Sequence, residues 1–147
     1  FTGGFALAMA TDPRVLAPVL SQPSLPFSIS ARHKAAIDCS ASDLAKVSAR
    51  CDREGLRVLG LRCNEDPLVP AARFRFLKEQ LGDGFVAVEI PEAYRHPRGP
   101  QKHAHSVLTH DLIDEAGELT RDALDQVLAL FREKLLVHPQ AQLATPL

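Results

Sequence analysis

The sequence predicts an α/β protein with a parallel sheet whose strands are flanked by helices. The continuous apolar run "RVLGL" at 57–61 is typical of a parallel strand buried on both faces, and "FVAVEI" at 85–90 predicts the next strand. Segments with apolar residues at helical spacing precede and follow these runs. Alternating helices and strands are typical of a parallel sheet covered by helices.

The first part of the chain predicts a helix and a short strand. Small and large apolar residues recur near a helical period from Gly3 to Ala10, and Asp12-Pro13 ends the pattern. "RVLAPVL" predicts a buried strand over 15–20, in which Pro18 is unfavourable because it lacks an N–H. The following "SQPSLPFSIS" is predicted to be a loop.

A capped helix is predicted over 42–54. Ser40 and Asp43 resemble a capping box at its start, and Gly55 is a favourable residue for its end. Leu44, Val47 and Cys51 lie on one face of this helix.

Two further helices are predicted in the second half. Pro70 suits the first turn of one helix, and Phe74, Leu77 and Leu81 form its apolar stripe. We assign Arg73 and Arg75 to the solvated face of this helix. The other spans 120–137, after a polar loop over 91–105. We therefore assign residues 1–137 to one domain and 138–147 to a C-terminal tail.

Composition argues against several classes of function. The 17 basic and 18 acidic residues nearly cancel and form no basic block, so nucleic-acid binding has little support. No apolar run approaches the roughly 20 residues of a membrane-spanning helix. The three cysteines lack CxxC spacing, which favours reduced thiols in a cytoplasmic protein.

Titratable residues follow two of the predicted strands. Ligand sites of parallel sheets lie at the carboxyl ends of the strands, where this chain carries Asp66 in "RCNEDP" and His105 in "HAHS". An acid followed by a histidine is the order of the α/β-hydrolase triad, in which the acid orients the imidazole and the imidazole deprotonates the nucleophile. Asp66 is equally compatible with a turn or N-cap residue.

The nucleophile of such a triad is missing, because the chain has no GxSxG or GxCxG motif. "FTGGFALAMA" has the glycines and small residues of the helix that follows a nucleophile elbow. We expect residue 1 to come directly after the nucleophile.

Three segments together resemble the dienelactone hydrolase family of α/β-hydrolases: "FTGGFALAMATDPRVLAPVLSQPSLPF", "GLRCNEDPLVPAARFRFLKEQLGDGF" and "HAHSVLTHDL". The resemblance covers Phe1 to about Leu136, which corresponds to the C-terminal half of that family's fold. It implies a cofactor-independent hydrolase of small esters or lactones, with a cysteine nucleophile just before "FTGG". It also implies that Asp66 is the triad acid, that His105 is the base, and that the backbone N–H of Phe1 is an oxyanion-hole donor.

The chain departs from this family at two positions. Thr109 stands where dienelactone-hydrolysing members tend to carry a substrate-binding arginine, and Cys63 stands where many relatives have an aromatic residue. The particular ester or lactone is therefore left open.

The same residues allow other interpretations. His103 and His105, with His96, His110 and Asp66, suggest zinc but lack specific ligand spacing, so we expect no metal. Cys63 as nucleophile would have no glycine-rich turn or helix N-terminus to lower its pKa. Arg98 and Lys102 could meet an anionic substrate, although a solvated loop is the simpler interpretation.

A different class of function is also compatible with the sequence. The chain could be a non-catalytic truncated fragment that acts as a binding or oligomerising module through an exposed sheet edge. An upstream coding region that ends in a strand followed by GxC would favour the hydrolase, whereas a chain that is soluble, folded and self-associating on its own would favour the module.

Overall fold

A computed structural model describes residues 3–91 and 104–136. Its elements, in chain order, are α1 (Gly3–Met9), β1 (Val19–Ser21), α2 (Ala31–Ala35), α3 (Ala41–Glu54), β2 (Val58–Cys63), α4 (Ala71–Leu81), β3 (Phe85–Ile90) and α5 (Leu119–Leu135). A 3₁₀ turn over Gly82–Gly84 joins α4 to β3.

The three strands form one parallel sheet in the order β1-β2-β3. Val19 of β1 is level with Leu59 of β2, and Val58 of β2 is level with Phe85 of β3. All six residues of β2 are buried, as its apolar sequence predicts. The predicted α/β class with a small parallel sheet is therefore confirmed.

Two apolar clusters cover the opposite faces of the sheet. The first joins the sheet to α1, α3 and α4, and its largest members include Leu7, Leu20, Val47, Phe74, Leu77 and Phe85. The second joins it to α5, and its members include Leu59, Leu61, Val88, Ile90, Val127 and Leu130. Because side chains alternate along a strand, both faces of the central strand are buried.

Gly60 allows two aromatic rings to lie against the sheet. A Cβ atom at this position would stand 2.6 Å from the Phe85 ring and 3.2 Å from the Phe74 ring. The two rings pack edge to face, with centroids 5.4 Å apart. A side chain at residue 60 would displace this pair, so the central strand requires glycine here.

The capped helix α3 is confirmed within one residue of its predicted bounds. Ser40 is its N-cap and accepts a hydrogen bond from the Asp43 N–H at 3.1 Å, while its hydroxyl donates to the Asp43 carboxylate. Gly55 ends the helix in the left-handed conformation, with φ 65°.

Strand β1 differs from the predicted 15–20 because it begins only at Val19. The Val15 N–H bonds to the Asp12 carbonyl in a turn, and Pro18 contributes only its carbonyl, to the Leu59 N–H. The missing N–H of Pro18 thus limits the strand to three residues. The short helix α2 follows the predicted loop and was not predicted.

The assignment of Arg73 to a solvated face is wrong, whereas Arg75 is exposed as expected. Arg73 is fully buried, and all acceptors of its guanidinium within residues 3–91 and 104–136 are carbonyl oxygens. These acceptors belong to Pro23, Pro26, His33, Ala36 and Leu68. The five N–H donors of the guanidinium match these carbonyl groups, and their hydrogen bonds hold the segment between β1 and α3 against α4.

Candidate active site

Polar side chains from three parts of the chain meet beyond the carboxyl end of the sheet. Gln22 and Ser24 follow β1, Asp66 follows β2, and His105 lies in the chain between β3 and α5. Hydrogen bonds join all four residues into one network. The carboxyl end of a parallel sheet is where ligand sites of α/β proteins form.

Asp66 is fixed by the turn that leaves β2. Its backbone N–H donates to the Cys63 carbonyl at 3.2 Å, and its Oδ1 accepts the Leu68 N–H at 2.9 Å. This second bond is an Asx turn, so Asp66 does act as a turn residue. Its side chain is only 1 % exposed, and Oδ2 is left for contacts outside the turn.

His105 is oriented by that second carboxylate oxygen. The Nδ1 atom of His105 lies 2.5 Å from Asp66 Oδ2, and the imidazole side chain is 25 % exposed. A carboxylate can only accept, so Nδ1 carries the proton and Nε2 is the acceptor atom of the neutral ring. The structure thus brings together two of the predicted site residues in the relation that a triad acid and base require.

Gln22 connects Asp66 to the chain around His105. Its amide nitrogen donates to Asp66 Oδ2 at 2.8 Å and to the Ala104 carbonyl at 3.3 Å, while its amide oxygen accepts from the Val107 N–H at 3.4 Å. Gln22 is buried and has φ 45°, which is unusual for a residue other than glycine or asparagine. A strained backbone is retained where surrounding contacts fix it, often at functional sites.

Ser24 contacts the other nitrogen of the same imidazole. Its Oγ lies 3.0 Å from His105 Nε2 and 3.0 Å from the Gln22 carbonyl oxygen. Ser24 is fully buried. The hydrogen-bonded series Ser24–His105–Asp66 therefore has the order hydroxyl, imidazole, carboxylate.

Asp111 fixes the backbone that carries His105. Its Oδ2 accepts the N–H groups of both His105 and Ser106, at 2.9 and 2.7 Å. Asp111 is 1 % exposed, and its Oδ1 is buried with no hydrogen-bond partner among the residues that the structure describes. The carboxylate thus closes the turn over 105–111 from inside and holds the imidazole opposite Asp66.

Cys63 does not have the properties of a nucleophile. Burial raises the pKa of its thiol to about 12, and the neighbouring carboxylates of Asp111 and Asp66 act in the same direction. Burial also raises the pKa of Cys39 and of Cys51. Since the thiolate is the reactive form, the alternative in which Cys63 attacks the substrate has no support in the structure.

Several predicted site residues lie outside the described part of the chain: Phe1, His96, Arg98, Lys102 and His103. Thr109 is exposed and donates its N–H to the Ser106 carbonyl. Within residues 3–91 and 104–136, no three His, Cys, Asp or Glu side chains are placed to hold a metal ion.

Sequence reasoning missed Gln22, Ser24 and Asp111. The rule that identified Asp66 and His105 also applies to β1, whose carboxyl end leads directly into Gln22. Applied to all three strands, it would have included Gln22 and Ser24. Asp111 has no comparable signal, because it acts through a turn whose geometry the sequence does not specify.

Comparisons with protein-family models, curated proteins and solved structures found no match. Among the described helices, none is both long enough and apolar enough to cross a membrane.

Proposed function

We propose that this chain supplies the acid and base of a dienelactone hydrolase-like enzyme that cleaves small carboxylic esters or lactones. The observation that carries the proposal is the 2.5 Å contact between His105 Nδ1 and Asp66 Oδ2 at the carboxyl end of the parallel sheet. It is supported by the triad order of these residues in the chain and by the resemblance of the surrounding segments.

In the proposed mechanism, His105 Nε2 takes the proton from the thiol of a cysteine that the resemblance places before Phe1. The thiolate attacks the ester carbonyl carbon, and the Phe1 N–H donates to the resulting oxyanion. The tetrahedral intermediate collapses to a thioester, and the leaving alkoxide takes the proton back from Nε2. His105 then deprotonates a water molecule, which hydrolyses the thioester and releases the acid and the thiol.

Asp66 has two tasks in this scheme. It keeps the proton of the neutral ring on Nδ1, so that Nε2 is the basic atom. It also stabilises the imidazolium that forms when Nε2 is protonated. The Asx turn and Gln22 fix its carboxylate, so little reorganisation is needed as charge develops on the ring.

The test begins with the genomic codon that precedes Phe1, which we expect to encode cysteine. The chain extended through that codon and its upstream strand is then assayed on p-nitrophenyl acetate and on small lactones. His105→Ala and Asp66→Asn should each lower kcat/KM by about 10³-fold or more. The control is His33→Ala, a histidine of α2 whose ring bonds to Ser30 and not to the site, which should leave kcat/KM unchanged.

Full activity in either His105→Ala or Asp66→Asn would contradict the proposal. So would a codon before Phe1 for a residue that cannot act as a nucleophile. The Asp66–His105 contact favours the hydrolase over the alternative of a non-catalytic binding module, because a module would not need a buried carboxylate that orients an imidazole.

A further inference from the structure

The Ser24 hydroxyl has one proton and two neighbouring acceptors. Its Oγ is 3.0 Å from the Gln22 carbonyl oxygen and 3.0 Å from His105 Nε2. A hydroxyl can donate only one hydrogen bond but can accept two. The protonation state of His105 therefore decides which way the Ser24 proton points.

Each state of the ring gives Ser24 a satisfied arrangement. In the neutral ring, Nδ1–H bonds to Asp66, and the Nε2 lone pair accepts the Ser24 O–H. In the imidazolium, Nε2–H donates to Ser24 Oγ, and the hydroxyl proton turns to the Gln22 carbonyl. Neither state leaves Nε2 unpaired beside this buried side chain.

We propose that Ser24 is a positioning residue that holds the His105 ring through both of its protonation states by rotation of a single hydroxyl. The role rests on the proposed function and concerns the enzyme between turnovers, because the single Nε2 lone pair serves one donor at a time and the thiol must replace the Ser24 O–H before His105 acts as a base. A group at residue 24 that could only donate or only accept would pair with His105 in just one of its two protonation states.

Ser24 lacks the features of a nucleophile in spite of its place in the series. It is fully buried, so a carbonyl group cannot approach its Oγ without displacing the surrounding chain. It also does not stand on a strand-turn-helix elbow, because α2 begins only at Ala31. The segment after β1 places the hydroxyl against the imidazole and does not direct it toward solvent.

The test uses the full chain labelled with ¹⁵N in its histidine rings. NMR spectra at alkaline and at acid pH report whether each nitrogen of His105 is protonated and hydrogen-bonded. Ser24→Ala should shift the Nε2 signal at alkaline pH and accelerate exchange of the Nε2 proton with water at acid pH. It should leave the Nδ1 proton on the Asp66 side in place, because that bond does not involve Ser24.

Two further variants separate the hydroxyl from general packing. Ser24→Thr keeps a hydroxyl and should restore the Nε2 signal, whereas Ser48→Ala, a half-buried serine on α3, should leave the wild-type spectrum unchanged. An Nε2 signal that Ser24→Ala does not move would overturn the proposal. Covalent labelling of Ser24 by a fluorophosphonate would also overturn it, since it would make Ser24 a nucleophile.

The kinetic readout distinguishes this inference from the proposed function. In the enzyme with its nucleophile, Ser24→Ala removes the donor that competes with the thiol for Nε2 and should raise kcat/KM about tenfold, the effect of one hydrogen bond. If the extended chain has no hydrolase activity but still shows the Ser24-dependent Nε2 shift, the proposed function is overturned while the Ser24–His105 hydrogen bond is supported. An active enzyme whose kcat/KM is unchanged in Ser24→Ala would overturn the positioning role alone.

Discussion

The side-chain amide of Gln22 donates to Asp66 Oδ2, the same oxygen that lies 2.5 Å from His105 Nδ1. One carboxylate oxygen thus receives two hydrogen bonds from residues that are 83 positions apart in the chain, at 22 and 105. The amide supports the carboxylate in the orientation that the imidazole needs.

Replacement of Gln22 should destabilise the fold and the site together. Gln22→Leu removes the amide contacts to Asp66, Ala104 and Val107, so we expect the free energy of unfolding to fall by about 1–3 kcal/mol. Urea denaturation measures the change. Gln80→Leu, at an exposed position of α4, is the control and should stay within about 0.5 kcal/mol of wild type. Equal stability of the two variants would contradict a supporting role for Gln22.

Asp111 should matter through its acceptor oxygen more than through its charge. Asp111→Ala removes the acceptor of two backbone N–H groups, and we expect a loss of about 3 kcal/mol in the free energy of unfolding. Asp111→Asn keeps an amide oxygen at this place and should cost less than half as much. Asp83→Ala, an exposed aspartate beside β3, is the matched control. An alanine variant as stable as the asparagine variant would show that the two bonds contribute little.

Arg73 should be intolerant of both neutral and charged replacement. Arg73→Met leaves several buried carbonyl groups without a donor, which should lower the free energy of unfolding by at least about 3 kcal/mol. Arg73→Lys should recover little, because one ammonium group cannot reach acceptors on both sides of a planar guanidinium. Arg75→Met, two residues along the same helix and exposed, should be nearly neutral in the same measurement. A stable Arg73→Lys variant would contradict this account.

The Cys63 thiol should make stability fall at alkaline pH. Its pKa is raised from 9.0 to about 12 in the folded chain, so the unfolded chain loses this proton at a lower pH than the folded chain does. The folded state therefore binds more protons between about pH 9 and about pH 12, and the free energy of unfolding decreases with pH across that window. Cys63→Ala should lack this part of the decrease. Parallel slopes for the two proteins would contradict the raised pKa.

Self-association of the chain remains a prediction about its sheet edge. Pro18 O and Gln22 N bond to β2, so the N–H groups of Val19 and Ser21 point away from it, and no described strand pairs with them. We expect sedimentation velocity to show concentration-dependent dimers or larger species. Ser21→Pro removes one outward N–H without touching the bonds to β2 and should weaken the association. A compact monomer at every concentration would contradict the prediction.

The sequence predicted most helices and strands, whereas the surroundings of individual polar side chains depend on tertiary contacts. The strands β2 and β3 and the helix α3 were predictable because an apolar run or a pair of capping residues can be recognised within the segment itself. Arg73 was not, because an arginine on a helix face is buried only if carbonyl groups elsewhere in the chain converge on it. The meeting of Asp66 and His105 was anticipated from strand order, whereas the Gln22 amide depends on a left-handed backbone that glutamine rarely adopts.

The polar network also affects how β1 aligns with β2 in the sheet. Gln22 follows the last residue of β1, and its N–H is bonded to the Leu61 carbonyl. Sliding β1 by one residue along β2 would move the amide about 3.3 Å and send its side chain to the opposite face. Asp66 Oδ2 would then lose the hydrogen bond from Gln22, and the bonds of this amide to Ala104 and Val107 would also be lost. The polar network therefore stabilises the native register of β1 and β2 relative to a shifted one, in addition to its role in the site.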